Sequence, residues 1–178
     1  IRVDVCVVGG GIAGLTAAYL LQREGKTVCV LEAGEIGTSQ SNRSTGHVTC
    51  ALDSRYEELE RRHGADAANL AAKSHTAAMA KIEDIIREEK LECELQKIDG
   101  YLFSSSQEKS DILDRELAAA RRAGISGVAI VQNSILPRFN QDRFFKIPGQ
   151  MQMRPAPYVA GIARAISRDC GKIHTRTR

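Results

Sequence analysis

An α/β fold built around a parallel sheet is what these 178 residues predict, and three observations carry that expectation. A Val-rich run at residues 3–8 ends abruptly in glycine, a helical pattern starts at once from Ile12, and a second β-branched run follows at residues 27–31. Strand, glycine turn, helix and strand in that order form the repeating unit of a Rossmann-like sheet.

Each element has its own local cause. Residues 3–8 are short, apolar and bounded by glycine, the signature of a buried strand. From Ile12 to Arg23, Leu15, Ala18 and Leu21, flanked by Tyr19 and Leu20, recur at three- and four-residue spacing until Gly25 stops the helix. Residues 27–31 read as the second strand. Residues 33–47 are rich in glycine and Ser/Thr hydroxyls and carry Gln40, Asn42 and Arg43 without apolar periodicity. A loop this long inside a compact domain is usually functional or disordered.

Two helices are predicted next, a charged one near residues 55–63 and a longer one near 65–89 with Ala78, Ile82, Ile85 and Ile86 on one face. His63 is read as a cation-favouring residue at a helix C-terminus, and His75 as a surface or helix-facing residue. Strands are expected at 93–98 and, past Asp99-Gly100, at 101–103, then at 128–131 and at 144–147, with a helix at 107–123. A last helix, residues 155–168, carries Val159, Ile162, Ala163 and Ile166 on one side and precedes the short run KIHT. The organisation expected is an N-terminal Rossmann-like part over 1–90, an inserted α+β segment over 91–153, and a return to the first domain over 154–178. An incomplete sheet is expected where the chain stops, as in a fragment of a longer protein.

Composition narrows the partners. The 25 basic and 22 acidic residues leave a formal charge of +3 in mixed-sign patches, so no basic, aromatic-laced surface points to nucleic acid. No apolar run reaches membrane-spanning length, and a cytoplasmic protein is expected. The five cysteines, Cys6, Cys29, Cys50, Cys93 and Cys170, show no metal-ligand spacing. Cys6 and Cys29 are expected to be small buried hydrophobes within strands.

Chemistry enters with Gly9, Gly11 and Gly14, a G-x-G-x-x-G set between strand and helix. The first glycine permits the tight turn, the second lets backbone approach a pyrophosphate, and the third lets helix and strand pack closely. The helix that starts there offers free N–H groups and a positive dipole end to phosphates. Glu32, eighteen residues past Gly14, closes the second strand and suits the two hydroxyls of an adenosine ribose while disfavouring a 2′-phosphate. An adenine dinucleotide follows, and the long polar loop in place of another helix and strand favours FAD over NAD.

The run GGGIAGLTAAYLLQREGKTVCVLEAGEIG followed by TSQSNRSTGHVT resembles the FAD-dependent oxidoreductases of the D-amino-acid oxidase and glycine oxidase family. It is especially similar to a branch in which the flavin domain is fused to a C-terminal Rieske iron–sulfur domain. ALDSRYEELERRHG, KSHTAAM, DGYLF and PYVAGIARAI extend the likeness over nearly the whole chain. The resemblance implies that Gly9, Gly11, Ile12, Ala13 and Gly14 meet the pyrophosphate, and Glu32 with Ala33 the ribose. It also implies that Gln40, Ser41 and Arg43 follow the diphosphate and ribityl chain, and that Ser44, Thr45, Gly46 and His47 reach the isoalloxazine edge. Any [2Fe-2S] cluster would belong to a domain beyond Arg178, since no Rieske-type Cys/His pair occurs here.

The activity implied is hydride transfer from an amine, an amino acid or a similar small substrate to flavin N5, with a separate electron acceptor. The catalytic residues, the substrate and the oligomeric state are not legible. Tyr101 and Arg154 are weighed as substrate contacts and read as structural. The alternatives are an NAD-binding dehydrogenase, a truncated dinucleotide-binding module without turnover, and a flavin enzyme acting on a glycerol phosphate or another hydroxyl compound.

Overall fold

The computed structural model describes residues 2–38, 40–103, 110–132 and 143–178. The chain forms two compact units. The first takes Ile1–His47, Glu83–Leu95 and Met153–Arg178, and the second Val48–Ile82 and Gln96–Gln152. Residues 48–82, grouped with the N-terminal part in the sequence reading, thus fall in the second unit.

In the first unit, strands β1 (Val5–Val8), β2 (Val28–Leu31) and β7 (Lys172–His174) make a parallel sheet in the order β1-β2-β7. Val5 pairs with Val28 and Val30 with Ile173. Helix α1 (Ile12–Arg23) connects β1 to β2, and α5 (Pro155–Arg168) leads into β7. The two helices pack together and bury Leu15, Ala18 and Tyr19 of α1 and Tyr158, Ile162 and Ile166 of α5, each at most 1% exposed. Fully burying a large apolar side chain contributes about 1.5–3 kcal/mol, so these residues anchor the unit. Pro155 at the first position of α5 needs no intrahelical N–H partner.

β1 departs from expectation. It starts at Val5, because Asp4 turns aside to exchange hydrogen bonds with Thr27: Asp4 N donates to Thr27 Oγ1 at 2.9 Å and Thr27 N to Asp4 Oδ2 at 2.8 Å. Its burial also alternates, with Val8 83% exposed and Cys6 exposed. The expectation of a buried Cys6 is therefore corrected: β1 is an edge strand here, and the face bearing Cys6 and Val8 is uncovered by the described residues. Cys29, on the central strand β2, is buried as expected.

The second unit is α+β. Its sheet has the order β3-β6-β4, with β5 also on β6; the strands are β3 (His47–Val48), β4 (Gln96–Leu102), β5 (Ala129–Gln132) and β6 (Arg143–Gln152). Lys146 pairs with Tyr101 of β4 and with Ala129 of β5, so β6 is central. Helices α2 (Tyr56–His63), the N-terminal part of α3 (Ala65–Glu88) and α4 (Ser110–Arg122) belong to this unit. Phe144, Phe145, Leu113, Ala119 and Tyr56 are among its buried residues.

One strand, β4, replaces the two expected around Asp99-Gly100. Ile98 pairs with Gln150 and Gly100 with Ile147, so Asp99 faces both Pro148 and Gly149 across a register shift. The pairing partner comes from far along the chain, and the dipeptide accommodates a bulge instead of a hairpin turn. Of the expected helix at 107–123, residues 107–109 lie outside the described residues.

Candidate functional site

The glycine turn is built by close backbone contact. Gly9 N donates to Leu31 O of β2 at 2.8 Å, and the residue adopts φ +109°. A Cβ on Gly14 would lie 2.0 Å from the Gly9 carbonyl oxygen and 3.3 Å from Val7 Cγ1, so only glycine lets α1 approach β1 this closely. Gly11 caps α1 without a side-chain hydrogen bond, and the first turn has no acidic residue. The opening amides of a helix have no intrahelical acceptors, so Ala13 and Gly14 present N–H groups at a positive dipole end. The Ile12 amide donates to Ser41 Oγ at 2.9 Å, which leaves the Ser41 hydroxyl proton to donate elsewhere.

Glu32 follows β2 and faces the same turn. Its Oε2 accepts from Gly10 N at 2.6 Å and its Oε1 from Gly34 N at 2.8 Å. These amides, Gly34 first and Gly10 second, hold its carboxyl below the ordinary carboxylate range. Its own backbone is fixed by bonds to His174 O and from Thr177 N, at 2.8 and 3.0 Å. A carboxylate tied down through backbone stays ionised and keeps lone pairs for further donors.

The polar loop contains a 3₁₀ turn, Gln40–Arg43, packed on α5. Ser44 Oγ accepts from Gly46 N at 3.2 Å. Gly46 is buried, with φ +76°, and a Cβ there would meet Met153 O at 2.0 Å. Met153 N donates to Gly46 O at 2.9 Å. Gly10 is thus brought onto Glu32, and Gly11 and Ile12 onto Ser41, while Gly46 is clamped separately. Ala33, Gln40, Arg43, Ser44, Thr45 and His47 are exposed.

Sequence reasoning passed over Gly10, which donates to Glu32, and the Met153 backbone that clamps Gly46. The first was hidden as the variable position of the motif; the second comes from more than a hundred residues away. Arg154 pairs with Glu94 at 2.8 Å on the surface, and Tyr101 stacks edge-on with Phe144 at 6.5 Å. Both geometries fit the structural reading of these residues.

Fold and site together define a class: an α/β protein with a glycine turn opening onto a helix N-terminus free of acidic residues and an ionised carboxylate after the next strand. A family model described as FAD dependent oxidoreductase, DAO, matches residues 4–178, and the chain belongs to that family. The putative Rieske 2Fe-2S iron-sulfur protein YhfW of Bacillus subtilis is 27% identical over 98% of this chain and 34% of its own length. Gamma-glutamylputrescine oxidoreductase of Escherichia coli is 32% identical over 61% of this chain and 25% of its own length. Glycine oxidase from Geobacillus kaustophilus superimposes with a TM-score of 0.78 at 20% identity, over 98% of this chain and 47% of that one. L-α-glycerophosphate oxidase from Mycoplasma pneumoniae with FAD bound gives 0.74 at 18% identity, over 98% and 44%. The structural likenesses carry the fold. This chain spans about a third of the length of the first of these relatives and less than half of the solved structures.

Among the described residues no helix is long and apolar enough to cross a membrane.

Proposed function

We propose that this chain forms the FAD-cradling part of an oxidoreductase that removes a hydride from an amine or amino acid and passes the electrons to a separate acceptor. The observation that carries the reading is the pairing of the α1 N-terminus, whose first turn has no acidic residue, with Glu32, whose carboxylate is held ionised by two backbone amides. These residues fit the adenosine diphosphate half of FAD. Gly11, Ala13 and Gly14 present backbone N–H donors to the diphosphate, Gly9 shapes the turn beside it, and Ile12 holds Ser41, whose hydroxyl proton is left to donate. Glu32 and Ala33 take the ribose.

When bound, FAD supplies the hydride acceptor at flavin N5. The protein orients it: Gln40 and Arg43 follow the diphosphate and ribityl chain, and Ser44, Thr45, Gly46 and His47 reach the ring edge. The clamp of Gly46 on Met153 supports this role, because a pinned backbone presents fixed amides and carbonyls to a ligand. The second unit, which includes the antiparallel sheet, is the substrate side. The names of the relatives, glycine oxidase and gamma-glutamylputrescine oxidoreductase, support amines and amino acids as the substrate class. A Rieske domain in the intact protein rests on the name of one relative, and a cytoplasmic setting on the sequence reading.

Anaerobic mixing of the intact, FAD-loaded protein with panels of amines, amino acids and hydroxy compounds tests the substrate class. Bleaching of the flavin band by an amine or amino acid supports the reading. Bleaching by glycerol phosphate alone would move the protein to the hydroxyl-oxidising class.

A further inference from the structure

Among the described residues, the buried core holds two polar side chains, Glu116 at 3% and Gln150 at 4% exposure. Burying such groups is unfavourable unless every donor and acceptor is matched. Both lie in the second unit, and both are spent on one stretch of chain, residues 49–57. Gln150 Oε1 accepts from Thr49 Oγ1 at 2.7 Å and from Cys50 N at 2.9 Å, while its Nε2 donates to Pro148 O at 2.9 Å. Tyr56 Oη donates to Cys50 O at 2.6 Å. Glu116 accepts from Tyr56 N and Glu57 N, both at 2.9 Å. Cys50 is therefore held through both its N–H and its carbonyl.

The stretch so held is not relaxed. Arg55 has φ +58° and ψ +154°, a conformation that non-glycine residues avoid, and it is held between the Arg55 N bond to Leu52 O at 2.9 Å and the Glu116 bonds that follow. Strain of this kind persists only where the surroundings over-determine it, and it concentrates at functional sites. The stretch starts two residues after His47. In the first unit, Gly46 is clamped by Met153, so the chain is pinned on both sides of His47 and Val48.

We propose that Gln150 is a positioning residue for the flavin: its buried amide fixes the backbone at Thr49 and Cys50 and so sets the conformation in which residues 44–47 meet the isoalloxazine edge. This rests on the reading of residues 44–47 as flavin contacts. Gln150 acts through the Thr49 hydroxyl and the Cys50 amide and not by touching the flavin.

The test uses the intact, FAD-loaded protein and the variants Gln150→Leu, Thr49→Val and, as a control, Asn69→Ala. Gln150→Leu removes the acceptor for both donors, and Thr49→Val removes the hydroxyl that donates to Gln150 and accepts from Ala51 N at 2.9 Å, leaving the Cys50 amide bond to Gln150 in place. Asn69→Ala deletes a bond to Ala123 O at 3.0 Å in the same unit, away from the stretch. Gln150→Leu is expected to weaken FAD binding at least tenfold and to move the flavin absorption bands and midpoint potential. Thr49→Val should move both readouts in the same direction by less, and Asn69→Ala should leave them at wild type. Wild-type affinity, bands and potential in Gln150→Leu would overturn the proposal while leaving FAD binding intact. If Gln150→Leu does not fold, Thr49→Val decides: an unchanged spectrum and potential in that variant overturns the proposal. Failure of the wild-type protein to take up FAD would instead overturn the cofactor reading and this proposal with it.

Discussion

Gly14→Ala is the substitution for which the structure gives the sharpest consequence. The added methyl would sit 2.0 Å from Gly9 O, where Cβ atoms essentially never come within 3.0 Å, and Val7 Cγ1 at 3.3 Å closes another direction. The obstacle is a carbonyl tied into the turn by the Gly9 N bond to Leu31 O, so no flexible side chain can yield. Helix α1 must move from β1 by about 1 Å, or the turn must open. Overpacking of this kind costs about 1–3 kcal/mol. The same displacement moves the α1 amides off a bound diphosphate, and a loss of about 3 kcal/mol there weakens FAD binding by roughly a hundredfold. Urea unfolding and FAD titration of the intact protein read the two effects separately. Gln22→Ala is the control, because Gln22 Nε2 donates to Ile166 O at 3.2 Å near the far end of α1. It should lower stability by about 1 kcal/mol without changing FAD affinity. A Gly14→Ala protein with wild-type stability and affinity would refute the close-packing argument.

Glu32→Gln keeps one acceptor but turns an NH₂ toward either the Gly10 or the Gly34 amide; FAD affinity should fall by roughly tenfold, measured by titration of the apoprotein. Glu116→Ala strips a buried and a half-buried amide of their acceptor at the start of α2 and should cost about 3 kcal/mol in urea unfolding. Glu89 accepts from Arg168 at 2.7 Å and from Tyr19 Oη at 2.8 Å. Arg168 foremost holds its carboxyl below the ordinary value of 4.5, while burial and then Glu89 push the Tyr19 phenol up to about 12. A depressed carboxylate contributes stability in full above the unfolded value and loses it as pH falls through the folded one. The stability gap between wild type and Glu89→Gln should therefore be constant near neutrality and shrink on acidification below pH 4.5; a gap that widens in acid would contradict the assignment.

What could be read from the sequence was what local chemistry decides. Helices α1 and α5 run from Ile12 to Arg23 and from Pro155 to Arg168, as apolar spacing and the Gly and Pro boundaries indicate. Gly9, Gly14 and Glu32 were legible for the same reason, since motif order and an eighteen-residue offset place them on one βαβ unit. Burial of a strand face is decided by what lies over it, which a local pattern does not contain, so Cys6 and Val8 were misjudged. Asp99-Gly100 has turn composition, yet the partner strand fifty residues on made it part of a bulged ladder. The anchors of residues 46–50 were invisible for the same physical reason: Gln150 and Met153 meet that segment across about a hundred positions, and nothing in either segment alone announces the other.

The central claim is that the α1 turn and Glu32 hold the adenine half of FAD. Its most direct test is to strip the intact protein of small molecules, titrate it with FAD and with NAD in parallel, and record the visible spectrum and binding at each step. The account predicts saturable uptake of FAD with a protein-shifted flavin band, lost in Gly14→Ala, and no comparable uptake of NAD. A protein that stays colourless with FAD and saturates with NAD would contradict it.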